Sequence, residues 1–140
     1  MTDQTKQAAQ RDREVQRTAG RKMVSPFATS VVGVSFVPGY PDNLHALNEA
    51  ADRARLDGEP LSVVLVRNPK NQYDSNAIEV HVPALGEGGF IGHLTRPIAA
   101  RMAPGIDAGE TWIAEVGDVL INPAHLDRPG ITINCKRLED

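Results

Sequence analysis

Cross-linking is not available to this chain. Its 140 residues include one cysteine, Cys135, so no internal disulfide forms and the fold must rest on a packed core, which this length can build. Aromatic residues are scarce: one tryptophan, two tyrosines and three phenylalanines. No stretch approaches the roughly 18 apolar residues of a membrane span. The opening MTDQTKQAAQ has no apolar segment of a secretory leader. A soluble, intracellular, cytoplasmic protein is expected, with no membrane partner. The motifs of common chemistry are missing as well. There is no GxxxxGK[ST], no GxGxxG after a strand, no HExxH and no GxSxG. His45, His81, His93 and His125 lie on different segments without ligand spacing, and no CxxC occurs, so no metal and no cofactor are expected. Asp74 and Glu79 form a carboxylate pair only loosely, and a phosphodiester-cleaving reading lacks a metal constellation. The chain is expected not to be an enzyme.

Positive charge is also in short supply, except at one end. Residues 1–25 hold six cations (Lys6, Arg11, Arg13, Arg17, Arg21, Lys22) against Asp3, Asp12 and Glu14. That segment carries +3, which leaves −6 on the remainder of a chain whose total is −3. A basic leader, expected to be disordered, precedes an acidic domain over residues 26–140. An acidic body counts against broad coating of nucleic acid and leaves room for a small local site.

Segments with clear patterning follow. SVVGVSFV (Ser30–Val37) is β-branched and reads as a strand interrupted at Gly33. Asp42 or Asn43 is placed to cap a helix to about Leu56, with Leu44, Leu47, Ala51 and Ala54 on one face and Gly58 as its stop. Leu61–Arg67 is apolar on both faces, as in a central strand. Ala77–Val82 alternates, with Ile78, Val80 and Val82 on one face and Glu79 and His81 on the other. Phe90–Leu94 returns after a glycine-rich loop. TRPIAARMAPG is a short helix ended by Pro104-Gly105. Thr111–Ile121, bent at Gly117-Asp118, and Ile131–Leu138 are the last strands. Trp112 and Cys135 are expected in the core. The order β-α-β-β-β-α-β-β, with short strands and irregular connections, predicts a mainly β fold. The form expected is a small OB-like or SH3-like barrel, partly open, with two helices outside.

One stretch exceeds what its local structure needs. NPKNQYDSNAIEV (Asn68–Val80) concentrates asparagines, an aspartate and a tyrosine directly before a strand. A tight turn would use Asn71, Asp74 and Asn76 to bond their own backbone, with Tyr73 covering the barrel end. A binding site would use the same residues differently. Tyr73 would present a flat face to a base or sugar, Asp74 would accept from a hydroxyl, and Asn71 and Asn76 would orient them.

LVRNPKNQYDSNAIEV followed by GFIGHLTRPIAARMAPGID resembles the HIRAN domain. Its pattern is an apolar strand, then N-x-Y-D-x-N-A-I-x-V, a glycine-containing loop, [IV]-G-[HY]-[LI], and a helix. VVGVSF is similar to the family's first strand, and the resemblance covers about Ser30–Leu138. It implies a modified OB-like barrel that grips the 3′-hydroxyl end of single-stranded DNA. Tyr73 would then stack on the terminal nucleotide, Asp74 would accept from the 3′-hydroxyl, and Asn71 would shape the site. His93 would contact the nucleic-acid backbone and Arg96 would reach a phosphate.

The chain also departs from that pattern. The helicase members complete the grip with an arginine and a tyrosine from the first strand. Here ATSVVGV offers Thr29 and Ser30 and no aromatic, so half of the stacking sandwich is missing unless Phe27, Phe36 or Tyr40 supplies it. His93 and Arg96 also fit solvated surface roles. Arg67, which ends a strand beside the polar loop, is a further candidate nucleic-acid contact and also fits a pair with Asp74 that holds it ionised. Two functions follow: a non-enzymatic module for single-stranded DNA 3′ ends, or a protein-interaction module on the same barrel.

Overall fold

The computed structural model describes residues 23–125 and 129–139. The expected order is found. Strands β1 (Phe27–Val32), β2 (Ser62–Arg67), β3 (Ile78–His81), β4 (Phe90–Leu94), β5 (Thr111–Leu120) and β6 (Gly130–Leu138) are joined by helices α1 (Asp42–Asp57) and α2 (Arg96–Asp107). Two 3-10 turns, Val34–Phe36 and Pro83–Gly89, lie in the connections. The basic leader expected over residues 1–25 lies almost wholly outside the described residues. Its last three residues are attached to the barrel. Met23 is buried and its carbonyl accepts from Arg137 at 2.7 Å, and Ser25 Oγ accepts from the Arg137 N–H at 2.9 Å.

All strand pairs are antiparallel, and the sheet closes in the order β1-β4-β3-β2-β5-β6. Closure is the first difference from the partly open barrel expected. It follows from β1, which begins at Phe27 rather than Ser30. Phe27–Ser30 pair with β6, and Val31 and Val32 pair with β4. Gly33, at φ 73°, then turns the chain out of the sheet, so Val34–Phe36 leave the strand instead of extending it. Gly92 lets β4 approach β1: a Cβ there would stand 2.5 Å from the Val32 carbonyl oxygen.

The core is the barrel interior. Ile78, Val80, Val82, Ile91, Ile131, Ile133 and Cys135 fill it, and Leu44, Leu47 and Met102 seal it from the two helices. Each fully buried aliphatic side chain contributes roughly 1.5–3 kcal/mol. Trp112 packs edge-on to Phe27 at 5.5 Å, with the Arg137 guanidinium 5.4 Å from its ring centre.

Three local expectations are corrected. Strand β2 lies between β3 and β5 but is not covered on both faces, since Val64 and Val66 are exposed on the barrel's outer side. Neither Asp42 nor Asn43 caps α1 through its side chain. Pro41 takes the cap position, and the first amides turn to the Gly39 and Pro41 carbonyls. Helix α2 runs through Pro104 to Asp107. Proline removes one amide from the helix ladder, but Ala108 and Glu110 bond back to the Pro104 and Gly105 carbonyls and close the last turn.

Candidate functional site

The polar stretch is the loop between β2 and β3. Its neck is closed by the Asn68 N–H on the Ala77 carbonyl at 2.9 Å. Inside, Asn71 Oδ1 accepts from the amides of Tyr73 (2.9 Å) and Asp74 (3.1 Å). Asp74 Oδ1 accepts from the Asn76 amide at 2.9 Å. These are two consecutive Asx turns, as Asn and Asp allow. Asn76 takes part through its backbone amide.

The turns do not hide the tyrosine. Tyr73 is 79 % exposed and does not cover the barrel end. Its carbonyl accepts from Arg96 Nη2 at 3.2 Å, and Asp74 Oδ2 stands 3.8 Å from Arg96 Nε. That separation is an ion pair too long for a hydrogen bond, so this oxygen keeps acceptor capacity to spare. The Asp74 side chain is 17 % exposed, while Arg96 is 78 % exposed. A solvated cation, a largely sheltered carboxylate and an exposed aromatic residue therefore adjoin one another.

Arg67 is turned into the body. Its Nε and Nη2 hold the two Asp107 carboxylate oxygens at 2.9 and 3.1 Å, and Nη1 donates to the carbonyls of Ser75 (3.1 Å) and Ala77 (3.0 Å). The expected Arg67–Asp74 pair is thus replaced. The C-terminal end of α2 brings Asp107 to Arg67, and the N-terminal end of the same helix brings Arg96 to Asp74. The hydrogen bond from Arg67, and then its charge, hold the Asp107 carboxyl below the usual carboxylate range against partial desolvation.

His93 lies on the outer side of β4, between Val32 of β1 and Glu79 of β3. Its ring meets Phe90 edge-on at 5.3 Å, and its Nε2 is shielded from solvent with no partner. Phe90 in turn stacks on His81 at 5.1 Å, and His81 Nε2 lies 2.9 Å from Glu79 Oε1. His93 belongs to the strand that leads into Arg96 but makes no bond with the loop residues.

The aromatic question raised by the first strand has a definite geometry. Phe27 is packed on Trp112, and the Tyr40 hydroxyl is buried. Phe36 is 89 % exposed, on the turn that packs against β4. It borders a shallow apolar cleft of about 270 Å³ with Val32, Val34 and Pro129.

Set against known proteins, the HIRAN domain model matches residues 26–136, most of the chain. The chain belongs to the HIRAN domain family. Among solved structures, the HIRAN domain of human HLTF is similar at 22 % identity and a TM-score of 0.53, covering 82 % of this chain and 77 % of that one. A protein from Lactobacillus plantarum is similar at 20 % identity and a TM-score of 0.50, covering 80 % of this chain and 99 % of that one. At these identities the two structures speak for the fold. No curated protein sequence matches the chain significantly. Both signature segments of this HIRAN chain adjoin one patch: the loop supplies Asn71, Tyr73 and Asp74, and the strand β4 leads to Arg96.

Sequence reasoning missed Asp107. It lies 40 residues from Arg67, on a helix expected to end at Pro104, and nothing local marks it as a partner. Among the described residues, no group of three or more His, Cys, Asp or Glu could hold a metal ion. No described helix is long and apolar enough to cross a membrane.

Proposed function

We propose that this HIRAN domain is a non-enzymatic module that binds single-stranded DNA at its 3′-hydroxyl end. The observation that carries this is the exposed Tyr73 ring, presented by a loop that two Asx turns, Arg67 and Arg96 hold in place. An unbonded, 79 % exposed aromatic beside a carboxylate with a free acceptor suits a nucleoside better than it suits a turn. The terminal base stacks on Tyr73, a contact contributing roughly 1–3 kcal/mol. Asp74 Oδ2 accepts from the 3′-hydroxyl. It repels a 3′-phosphate, so the carboxylate reads the chemistry of the end. Asn71 fixes both residues through the Asx turn. Arg96 lies within reach of the last phosphate. His93 flanks the path, and contact with its Nε2 requires the covering side chains to move aside. Of the three aromatic candidates near the first strand, Phe36 is the exposed one and is proposed as a second aromatic face, from a cleft it shares with Val32, Val34 and Pro129 rather than with the loop. Arg67 supports the loop from beneath.

The test is binding to linear against covalently closed single-stranded DNA of the same sequence. The linear strand should bind and the circle should not. Tyr73→Ala should weaken linear binding about 5- to 150-fold. Equal binding of circle and line would remove the end-reading role.

A protein-partner reading has one observation in its favour. A largely apolar groove of about 440 Å³ lies on the β2, β5 and β6 side, bordered by Pro26, Pro60, Ser62 and the half-exposed Ile113. Substitution at Ile113 should leave DNA binding unchanged, and a partner competing with DNA would contradict this separation.

A further inference from the structure

Helix α2 holds the end-reading loop from both of its termini. Its first residue, Arg96, donates to the Tyr73 carbonyl, and its last, Asp107, grips Arg67, which in turn holds the Ser75 and Ala77 carbonyls. The two grips bracket Asp74. One fastens the residue before it and the other fastens the residues after it. We propose that Asp107 is a positioning residue of the DNA-end site, acting through Arg67 to set the place of the Asp74 carboxylate. This rests on the function proposed above and adds a residue that touches no ligand.

The geometry explains why a carboxylate is needed so far from the patch. A guanidinium is a rigid planar fork. When Asp107 takes its Nε and Nη2 edge with two near-parallel bonds of 2.9 and 3.1 Å, the direction of Nη1 is fixed. Nη1 then meets two loop carbonyls at 3.1 and 3.0 Å, on either side of Asn76. Without Asp107 the fork is free to turn about its long stem, and the carbonyls of Ser75 and Ala77 lose a directed donor. The Asn76 amide that caps Asp74 Oδ1 sits between those two carbonyls. Loss of direction therefore reaches the carboxylate that reads the end.

The pair is poorly suited to a purely stabilising role. Asp107 is 55 % exposed, so water and salt screen its attraction. Its removal should change the loop more than the barrel.

The experiment uses the full chain with Asp107→Asn and Arg67→Lys, singly and together. Three quantities are read: melting temperature, hydrogen exchange of the amides of Tyr73–Ala77, and the affinity ratio for 3′-hydroxyl over 3′-phosphate strands. Asp107→Asn should leave the melting temperature nearly unchanged, speed exchange in the loop alone, and reduce the ratio about 5- to 10-fold. Arg67→Lys keeps the charge and loses the fork, so it should give the same pattern. The double variant should be no worse than the poorer single one, since the two residues act as one unit. Unchanged loop exchange in Asp107→Asn would overturn the proposal whatever the ligand. So would an unchanged ratio in a protein whose wild type discriminates, with the end-binding function left standing. A wild type that shows no end preference would overturn both.

Discussion

At the scale of single residues, the site separates cleanly from stability. Tyr73 and Phe36 contribute little to the folded state because their rings are already in water. Phe36→Ala should leave the melting temperature unchanged and weaken DNA binding by roughly 1–3 kcal/mol, measured by thermal unfolding beside a binding titration. A drop in stability without a change in binding would return Phe36 to a packing role. Cys135 behaves in the opposite way. Burial pushes its thiol up to about 11. The protonated form is therefore favoured in the folded chain, and this contribution is complete below the ordinary thiol value of about 8.5 and is lost as pH rises toward the folded value. The thiol should resist a disulfide reagent near neutral pH until the protein unfolds, which a denaturant series of labelling rates checks. Asp107 has the reverse sign. Its carboxyl is depressed in the folded chain, so its contribution is present above the ordinary value of about 3.9 and disappears as pH falls below that. The difference in loop protection between wild type and Asp107→Asn should close in that acidic range, as read by hydrogen exchange.

At the scale of elements, β4 is the hinge of the design. It pairs with β1 and β3, carries His93 outward and delivers the chain to Arg96. Gly92 permits this because any side chain would meet the Val32 carbonyl. Gly92→Ala should cost about 1–3 kcal/mol and reduce binding only as far as it unfolds the protein, a relation that denaturant titration of the variant tests. Elements were largely legible in the sequence. Alternation in Ala77–Val82 and the helical spacing of Leu44, Leu47 and Ala51 identify their buried faces correctly. Legibility failed where a distant contact decided the outcome. An apolar run in β2 does not say that one of its faces looks outward from a barrel. The stop signal at Pro104 was overridden by bonds that continue the turn to Asp107. The partner of Arg67 was hidden for the same reason, since sequence adjacency favours Asp74 while the fold supplies Asp107.

At the scale of the whole molecule, the proposed function is a local one, since the charge does not favour polyanions. The residues after 25 carry −6, and the basic stretch precedes them. A site contacting about two phosphates should lose affinity with salt at a logarithmic slope near −1.4 for single strands. Titration between low and moderate salt checks this, and a much steeper slope would point to the leader rather than the loop. The polar loop was visible in the sequence as an excess of hydrogen-bonding residues, and that excess divides between two jobs. Asn71 and one oxygen of Asp74 build the turns, while Tyr73 and the other oxygen of Asp74 remain available. The measurement that tests this division most directly is the anisotropy of a labelled ten-nucleotide strand. The strand would end in a 3′-hydroxyl or a 3′-phosphate and be titrated with wild type and with Asp74→Ala. The wild type should bind the hydroxyl end more tightly, and the variant should lose that preference. Equal binding of both ends by both proteins would contradict it, and the loop would then be a well-bonded turn with an idle tyrosine.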